Sequence, residues 1–258
     1  MFPCYKDAPH LERNIAHVVS LLLYMNKPWE IILVNDRSPD DTAAAIERIL
    51  KSDATGRIRA VSHMKNRGRG AAFMTGAEMA TGDCVGVFDI DLEVAAVYLF
   101  ECLHTLEAEQ ADLVVGQRHY RETAGLFYRH LLTKGYSFLS SRILGIPQKF
   151  DSETGYKFFK RETLVRYFGR FQHEGWFWDS EVVTRFHQDG LKIVPVPCLF
   201  IRNSEKRSTV RPLRDALEYI KNLLRYWKAG RVTTGTVLAY PSPKAVQGSE
   251  ADSEKLAA

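Results

Sequence analysis

The stretch Ile31-Ile32-Leu33-Val34-Asn35-Asp36-Arg37-Ser38-Pro39-Asp40-Asp41-Thr42 decides the fold. Its first four residues are apolar and mostly β-branched, and the run stops at an amide and a carboxylate. That is the profile of a short strand buried on both faces. Helix-start chemistry follows at once: Ser38 is placed to cap, Pro39 suits the first helical position, and Asp40 and Asp41 complement the positive end of a helix dipole. The same succession recurs along the chain. Arg57 to Ser62 predicts a strand and Gly70 to Ala80 a helix. Cys84-Val85-Gly86-Val87-Phe88 predicts a third strand, ending at Asp89. Glu93 to Glu109 predicts a helix and Ala111 to Gly116 a fourth strand. Strands alternating with helices at this spacing define an α/β class with a mostly parallel sheet. Ligands in such sheets bind outside the carboxyl ends of the strands. Asn35-Asp36 and Asp89-Ile90-Asp91 both fall there.

The second half is less regular. Leu126 to Leu144 reads as helical and aromatic-rich, Thr154 to Lys160 as a strand, and Asp179 to Gln188 as a helix. Leu191 to Cys198 is strand-like, and its Pro195 and Pro197 place it at a sheet edge. Leu213, Ala216, Leu217, Ile220, Leu223, Leu224 and Trp227 follow helical spacing, which predicts an amphipathic helix. Residues 231–258 turn to Pro, Ser, Ala, Gly and charge, the composition of a disordered tail.

The 258 residues are 45% apolar and 26% charged, ordinary for a globular chain large enough to build a core without disulfides or metal staples. No apolar run approaches the ~18 residues that span a bilayer. The N-terminus lacks a basic region followed by an apolar stretch, so no signal peptide is expected. The four cysteines, at 4, 84, 102 and 198, form no C-x-x-C pair and sit among apolar neighbours. They read as buried thiols in a reducing cytoplasm. The net charge of +4 does not argue for nucleic acid. It is concentrated, however: Arg202 to Arg231 holds nine Lys/Arg against three acids. Such a segment calls for an anionic partner.

Asp89-Ile90-Asp91 is a D-x-D at the end of an apolar strand. Carboxylates on alternate residues, where a chain begins to turn, can converge on one divalent cation. Their hard oxygens suit Mg²⁺ or Mn²⁺, which usually also bind substrate phosphates. Other readings fail. Gly68-Arg69-Gly70 opens a G-x-G-x-x-G, but Phe73 stands at the third glycine, against a dinucleotide-binding turn. No G-x-x-x-x-G-K-[ST] loop exists, and no H-E-x-x-H. His173, near Glu174, reads as a surface loop residue. Trp176, Phe177 and Trp178 read as core or pocket wall rather than as a base-stacking platform.

Six segments, in order and at matching spacing, carry a family resemblance. VNDRSPDDT (Val34 to Thr42) resembles the V-D-D-x-S-x-D-x-T segment of family 2 glycosyltransferases, which have the glycosyltransferase-A fold. NRGRGAAFMTGAEMATGD (Asn66 to Asp83) resembles that family's N-x-G-x-G-x-A…G…A-x-G-D stretch. FDIDLE (Phe88 to Glu93) resembles its D-x-D segment, and FPCYKD (Phe2 to Asp7) its first loop, P-x-Y-N-E. SETGYKFFKRE (Ser152 to Glu162) and GWFWDSEVV (Gly175 to Val183) resemble later segments. The resemblance spans roughly residues 2–228. It is nearest to the branch that includes dolichol-phosphate mannosyltransferase and other polyprenyl-phosphate glycosyltransferases, which the Arg202 to Ser208 stretch also suits.

The resemblance implies a single glycosyltransferase-A domain over residues 1–230. It implies donor contacts at Pro3, Tyr5, Asp7, Asn35, Asp36, Arg67, Gly70 and Ile90, with the nucleotide base near Tyr5, Asp7 and Asp36. Asp89 and Asp91 match the ribose and metal-diphosphate positions. Arg118, Arg129, Arg202 and Lys206 lie where the branch binds the acceptor phosphate. Three departures stand out. Asn35 replaces the usual Asp. Glu93, where the dolichol enzymes often have Gln, adds a candidate third metal ligand. Only Met1-Phe2 precede the P-x-Y loop, so either the first strand is nearly absent or the stated start is internal to a longer chain.

The expected reaction moves a hexose from a GDP- or UDP-linked sugar to a polyprenyl phosphate with inversion, at Mg²⁺ or Mn²⁺. A lipid phosphate is already anionic and needs no protein base. A sugar or small-molecule hydroxyl acceptor would need one, with Asp179 first, desolvated by its aromatic neighbours, and Glu181 second. A degenerate nucleotide-sugar-binding protein is the non-enzymatic alternative. The helix from 213 to 228 would place the protein peripherally on the cytoplasmic, inner face of a membrane.

Overall fold

A computed structural model of the chain describes residues 1–120, 141–202 and 219–225. Two sheets form the centre. In the first, β1 (Phe2–Cys4), β2 (Ile31–Asn35) and β3 (Ile58–Ser62) run parallel in the order β1-β2-β3. In the second, the order is β4-β6-β5-β7, from β4 (Cys84–Val87), β5 (Leu113–Tyr120), β6 (Lys157–Lys160) and β7 (Ile193–Phe200). The Met1 amino group donates to the Gly86 carbonyl at 2.6 Å and joins the two sheets between β1 and β4.

Strand alternation sorts the core into two layers. From β2, Ile32 and Val34 pack toward α3 (Arg69–Met79) and α6 (Trp178–Gln188), among Phe73, Ala77, Trp178 and Phe186. Ile31 and Leu33 face the other way, toward α1 (Ala8–Tyr24), α2 (Thr42–Ser52) and α4 (Tyr98–Ala108), among Leu11, Ile15, Ile46 and Leu99. With helices on both faces, every residue of β2 is buried. A short α5 (Arg161–Val165) follows β6.

Several expectations change. The helix expected from Ser38 starts only at Thr42, without a side-chain cap bond. Ser38 Oγ instead accepts from the Lys6 N–H at 3.2 Å, and Thr42 Oγ1 accepts from the Asp7 N–H at 3.0 Å. These hydroxyls tie the turn to the first loop, a tertiary use that displaces local capping. The helix expected from Glu93 starts at Tyr98, because the Glu93 carbonyl accepts from the Ile201 N–H at 2.8 Å and Val94 bridges to Phe200. β6 begins at Lys157 and runs antiparallel to both β4 and β5, so the second sheet is mixed. β5 extends to Tyr120 because β7 pairs with it from Leu113↔Ile193 to Tyr120↔Phe200. β7 takes the edge, as its prolines required. None of the four cysteines is in a disulfide; Cys4, Cys102 and Cys198 are buried as expected, whereas Cys84 is only half-buried.

Of the predicted helix from Leu126 to Leu144, residues 141–144 are described and helical. Of the amphipathic helix, 219–225 is described. Tyr219 and Leu223 are buried against the domain, whereas Ile220 and Leu224 of the predicted apolar stripe are exposed. Arg129, Lys206 and the predicted tail lie outside the described residues. No helix among the described residues is long and apolar enough to cross a membrane.

Candidate active site

A cleft opens at the carboxyl ends of β1, β2 and β4. Pro3 lines it from β1, Tyr5 and Asp7 from the loop after β1, Asp36 from the end of β2, and Gly68 and Arg69 from the start of α3. Asp89 and Ile90 come from the turn after β4, and Trp176 closes one side. The first loop holds its own shape. Lys6 adopts a left-handed φ of 60°, and the Asp7 carboxylate accepts from the Tyr5 N–H at 2.8 Å.

Asp36 organises the next wall. Its Oδ1 accepts from the Arg67 N–H at 2.8 Å and meets His63 Nδ1 at 2.7 Å, while Oδ2 accepts from the Gly68 N–H at 2.7 Å. A buried carboxylate met by several N–H groups is well satisfied. These bonds fix the turn into α3, where Gly68 has φ +100° and a β-carbon would lie 2.7 Å from the Glu174 carbonyl oxygen. Asn35 turns away from the cleft, as alternation requires. Its Oδ1 accepts from the Ser38 N–H at 3.0 Å, and its Nδ2 donates to Ser62 Oγ at 3.4 Å. These bonds shape the turn that follows β2. Arg67 meets Asp36 through its backbone, and its guanidinium pairs with Glu174 at 2.5 Å. Gly70 packs closely on Trp178: a β-carbon there would sit 2.5 Å from Trp178 Cβ and Cγ.

The D-x-D turn is pinned from behind. Asn14, buried in the apolar stripe of α1, donates through Nδ2 to the Ile90 carbonyl at 2.7 Å. Asp89 reaches the cleft with its side chain 44% exposed. Asp91 is half-buried, its Oδ1 3.4 Å from the Glu93 N–H. Two hard carboxylates beside an open cleft fit a divalent cation whose remaining positions go to phosphate oxygens and water. Among the described residues no group of three His, Cys, Asp or Glu side chains converges, so Glu93 does not complete a protein triad with Asp89 and Asp91.

Behind Asp89 lies a chain of charges. Arg69 pairs through Nη1 with Asp89 Oδ1 and through Nε with Asp179 Oδ2 at 3.0 Å. Asp179 Oδ1 receives the Lys157 ammonium at 2.8 Å. Burial works against the Arg69 charge, yet Asp89 and Asp179 outweigh it and raise the guanidinium's pKa. Burial pushes the Lys157 ammonium below the ordinary lysine range, against the pull of Asp179. The sequence places Asp179 in an aromatic segment as a desolvated base; in the fold both its oxygens are engaged by cations. Glu181 is likewise occupied. Its carboxylate accepts from the Gln172 and His173 N–H groups at 3.0 Å, from Arg185 Nε at 2.8 Å, and meets His173 Nδ1 at 2.9 Å. Burial pushes its pKa up, but His173, the Gln172 amide and Arg185 hold it below the usual range. His173, in a loop and partly exposed, is thus also a clamp on Glu181.

On the far side of β5, Arg118 forms a bidentate pair with Asp151, at 2.6 and 2.9 Å. Arg202 is exposed just beyond β7. Glu153 lies near this pair. Its Oε1 is buried without a hydrogen-bond partner, and burial raises the carboxyl's pKa.

The sequence reading missed Arg69, Lys157, Asn14 and Gly155. Arg69 and Gly155 stood inside quoted motifs, and a polar residue within an apolar helical stripe marks Asn14. Nothing local marks Lys157, whose strand position reads as an ordinary alternation.

A carboxylate-lined cleft at strand carboxyl ends is where an α/β sheet of this kind binds its ligand. The family model for Glycosyl transferase family 2 matches residues 1–168. The chain belongs to that family. It is 25% identical over 231 residues to Glycosyltransferase AglD of Haloferax volcanii, covering 88% of this chain and 36% of that protein. It is 24% identical over 236 residues to the dolichyl-phosphate beta-glucosyltransferase of Dictyostelium discoideum, covering 86% and 71%. The human protein of that name is 27% identical over 199 residues, covering 70% and 60%. The chain therefore spans only part of these relatives' length. Among solved structures, glucosyl-3-phosphoglycerate synthase from Mycobacterium tuberculosis with UDP superposes with a TM-score of 0.62 at 20% identity, covering 88% of this chain and 78% of that one. The Pyrobaculum calidifontis mannosyltransferase in complex with GDP-Man and Mn²⁺ gives 0.59 at 19% identity, covering 92% and 64%. At these identities the likeness carries the fold.

Proposed function

We propose that this chain transfers a hexose from a UDP- or GDP-linked sugar to a polyprenyl phosphate, inverting the anomeric carbon. The observation that carries this reading is the state of Asp179: the residue expected to serve as base has each carboxylate oxygen engaged by a buried cation. An acceptor that arrives already anionic needs no such base. Tyr5, Asp7 and Asp36 would hold the nucleoside, and Pro3 and Ile90 would wall it. Asp89 and Asp91 would hold Mg²⁺ or Mn²⁺, which when bound offsets charge on the departing nucleoside diphosphate. Arg118, Arg129, Arg202 and Lys206 are the cations assigned to the acceptor phosphate. The relatives' names support a dolichyl-type acceptor. Exposed Ile220 and Leu224 beside exposed Lys221 and Arg225 support contact with an anionic membrane surface. That contact would lie on the cytoplasmic, inner face.

A second reading, transfer to a hydroxyl, draws on Glu153. A half-buried carboxyl with a raised pKa and an unpartnered oxygen suits a general base. The test is a panel of UDP- and GDP-sugars against polyprenyl phosphate with Mg²⁺ or Mn²⁺, read as lipid-linked product. Product with one donor class supports the lipid-phosphate reading. Transfer to hydroxyl acceptors alone, lost in Glu153→Gln, would replace it with the second.

A further inference from the structure

Arg69 is buried, yet it reaches the cleft. It occupies Asp89 Oδ1 through Nη1, and its Nη2 points to the Gly155 carbonyl at 3.4 Å. The other oxygen of Asp89 lies so near Gly155 that a β-carbon there would collide with it, and would stand 2.5 Å from Arg69 Nη2. Arg69 thus engages Oδ1 of Asp89, while Oδ2 lies packed against Gly155. Asp179 offers the same guanidinium a second anion, at 3.0 Å, and is itself steadied by Lys157 at 2.8 Å. Four side chains alternate in sign from the cleft inward: Asp89, Arg69, Asp179, Lys157. A divalent cation seated on Asp89 competes with Arg69 for the same carboxylate, because like charges this close repel strongly away from bulk water.

We propose that Arg69 is the resident counter-cation of the D-x-D carboxylate: it holds Asp89 in the unloaded protein and leans toward Asp179 when a divalent cation arrives with a diphosphate. It is a positioning residue, acting on the metal through Asp89. The inference rests on the assignment of Asp89 and Asp91 as the metal carboxylates. Its consequence is that free metal binds weakly, and the donor's negative charge tips the competition. Loading then requires metal and nucleotide together.

The test is a Mn²⁺ titration of the full chain without nucleotide, read by electron paramagnetic resonance of the free ion. Far-UV circular dichroism confirms that each variant is folded. Removing the competitor in Arg69→Gln should tighten Mn²⁺ binding roughly 5-fold or more, the scale of a strong coupling between sites. Arg69→Lys keeps a charge without the fork, and should fall between parent and Arg69→Gln. Asp179→Asn should act in the opposite direction, because Arg69 then has Asp89 as its remaining carboxylate. A role in folding alone would not move the two sites in opposite directions. Unchanged or weaker Mn²⁺ binding in Arg69→Gln and Arg69→Lys overturns the proposal. The control is Asp91→Asn, which should abolish Mn²⁺ binding and leave the free-ion signal undiminished. If that variant binds Mn²⁺ like the parent, the metal assignment itself is wrong, a separate outcome from failure of the counter-cation role.

Discussion

Asp36 and Asp179 are both buried carboxylates beside the same cleft, and they are satisfied in opposite ways. Asp36 is met mainly by backbone N–H groups of Arg67 and Gly68 and by His63. Asp179 is met by two side-chain cations, Arg69 and Lys157. The outer wall is therefore built from backbone turns close to strand ends, and its carboxylate shapes a loop. The inner wall is built from charges brought together by α3, β6 and α6, and its carboxylate holds cations in place. Backbone N–H groups do not leave when a ligand arrives, so the first wall is preformed. Paired side chains can exchange partners, so the second can respond to charge.

The largest expected effect separates chemistry from architecture. Asp91→Asn should lower turnover by ~10³-fold or more, since a bound metal supplies several kcal/mol of charge stabilisation. Its melting temperature should stay near the parent's. A variant that melts early as well would place Asp91 in the framework.

Next, the inner wall should break as ion-paired cores do. Lys157→Met leaves Asp179 with Arg69 alone and should cost ~3–5 kcal/mol in urea unfolding. An effect below ~1 kcal/mol would mean that Asp179 does not depend on the pair, and the contrast with Asp36 would collapse.

Gly70→Ala sharpens the comparison at the junction of the walls. The new β-carbon would press on Trp178 Cβ and Cγ at 2.5 Å. Stability should fall by ~1–3 kcal/mol through overpacking, while calorimetric affinity for the nucleotide is unchanged. Lost affinity at unchanged stability would assign Gly70 to donor binding instead.

The smallest effect concerns acid. The Glu181 carboxyl sits below its usual pKa in the fold, because His173, the Gln172 amide and Arg185 outweigh burial. The unfolded chain then binds more protons across the ordinary glutamate range. The stabilisation is present above that range and is lost as pH falls through the folded pKa. Glu181→Gln should flatten the acid limb of the urea midpoint plotted against pH, with a change on the order of 1 kcal/mol. An unaltered acid limb would remove Glu181 from the account.

Much of the outer wall was legible because it is local. A strand end, a D-x-D, the turn into a helix and a first loop are contiguous in the chain, so Pro3, Tyr5, Asp7, Asp36, Asp89 and Ile90 could be placed in the cleft from order and spacing. Where two readings of one polar residue competed, local logic misled. Asn35 and Asp36 are neighbours, and only strand alternation in the folded sheet tells which faces the cleft. Ser38 reads as a cap until the first loop arrives to bond it.

By itself, the sequence determined the α/β class, the family, the strand ends that carry carboxylates and the edge position of β7, because each follows from periodicity, residue chemistry or motif order within a few tens of residues. The tertiary structure alone decided the antiparallel β6, the pairing of Arg118 with Asp151, and the chain Asp89–Arg69–Asp179–Lys157. The physical reason is range. Arg69 and Asp179 are 110 residues apart, and Lys157 and Asp179 22 apart. No local propensity encodes a charge whose partner comes from another element. Whether a buried carboxylate serves as a base or as a counter-ion is set by what the folded chain packs against it.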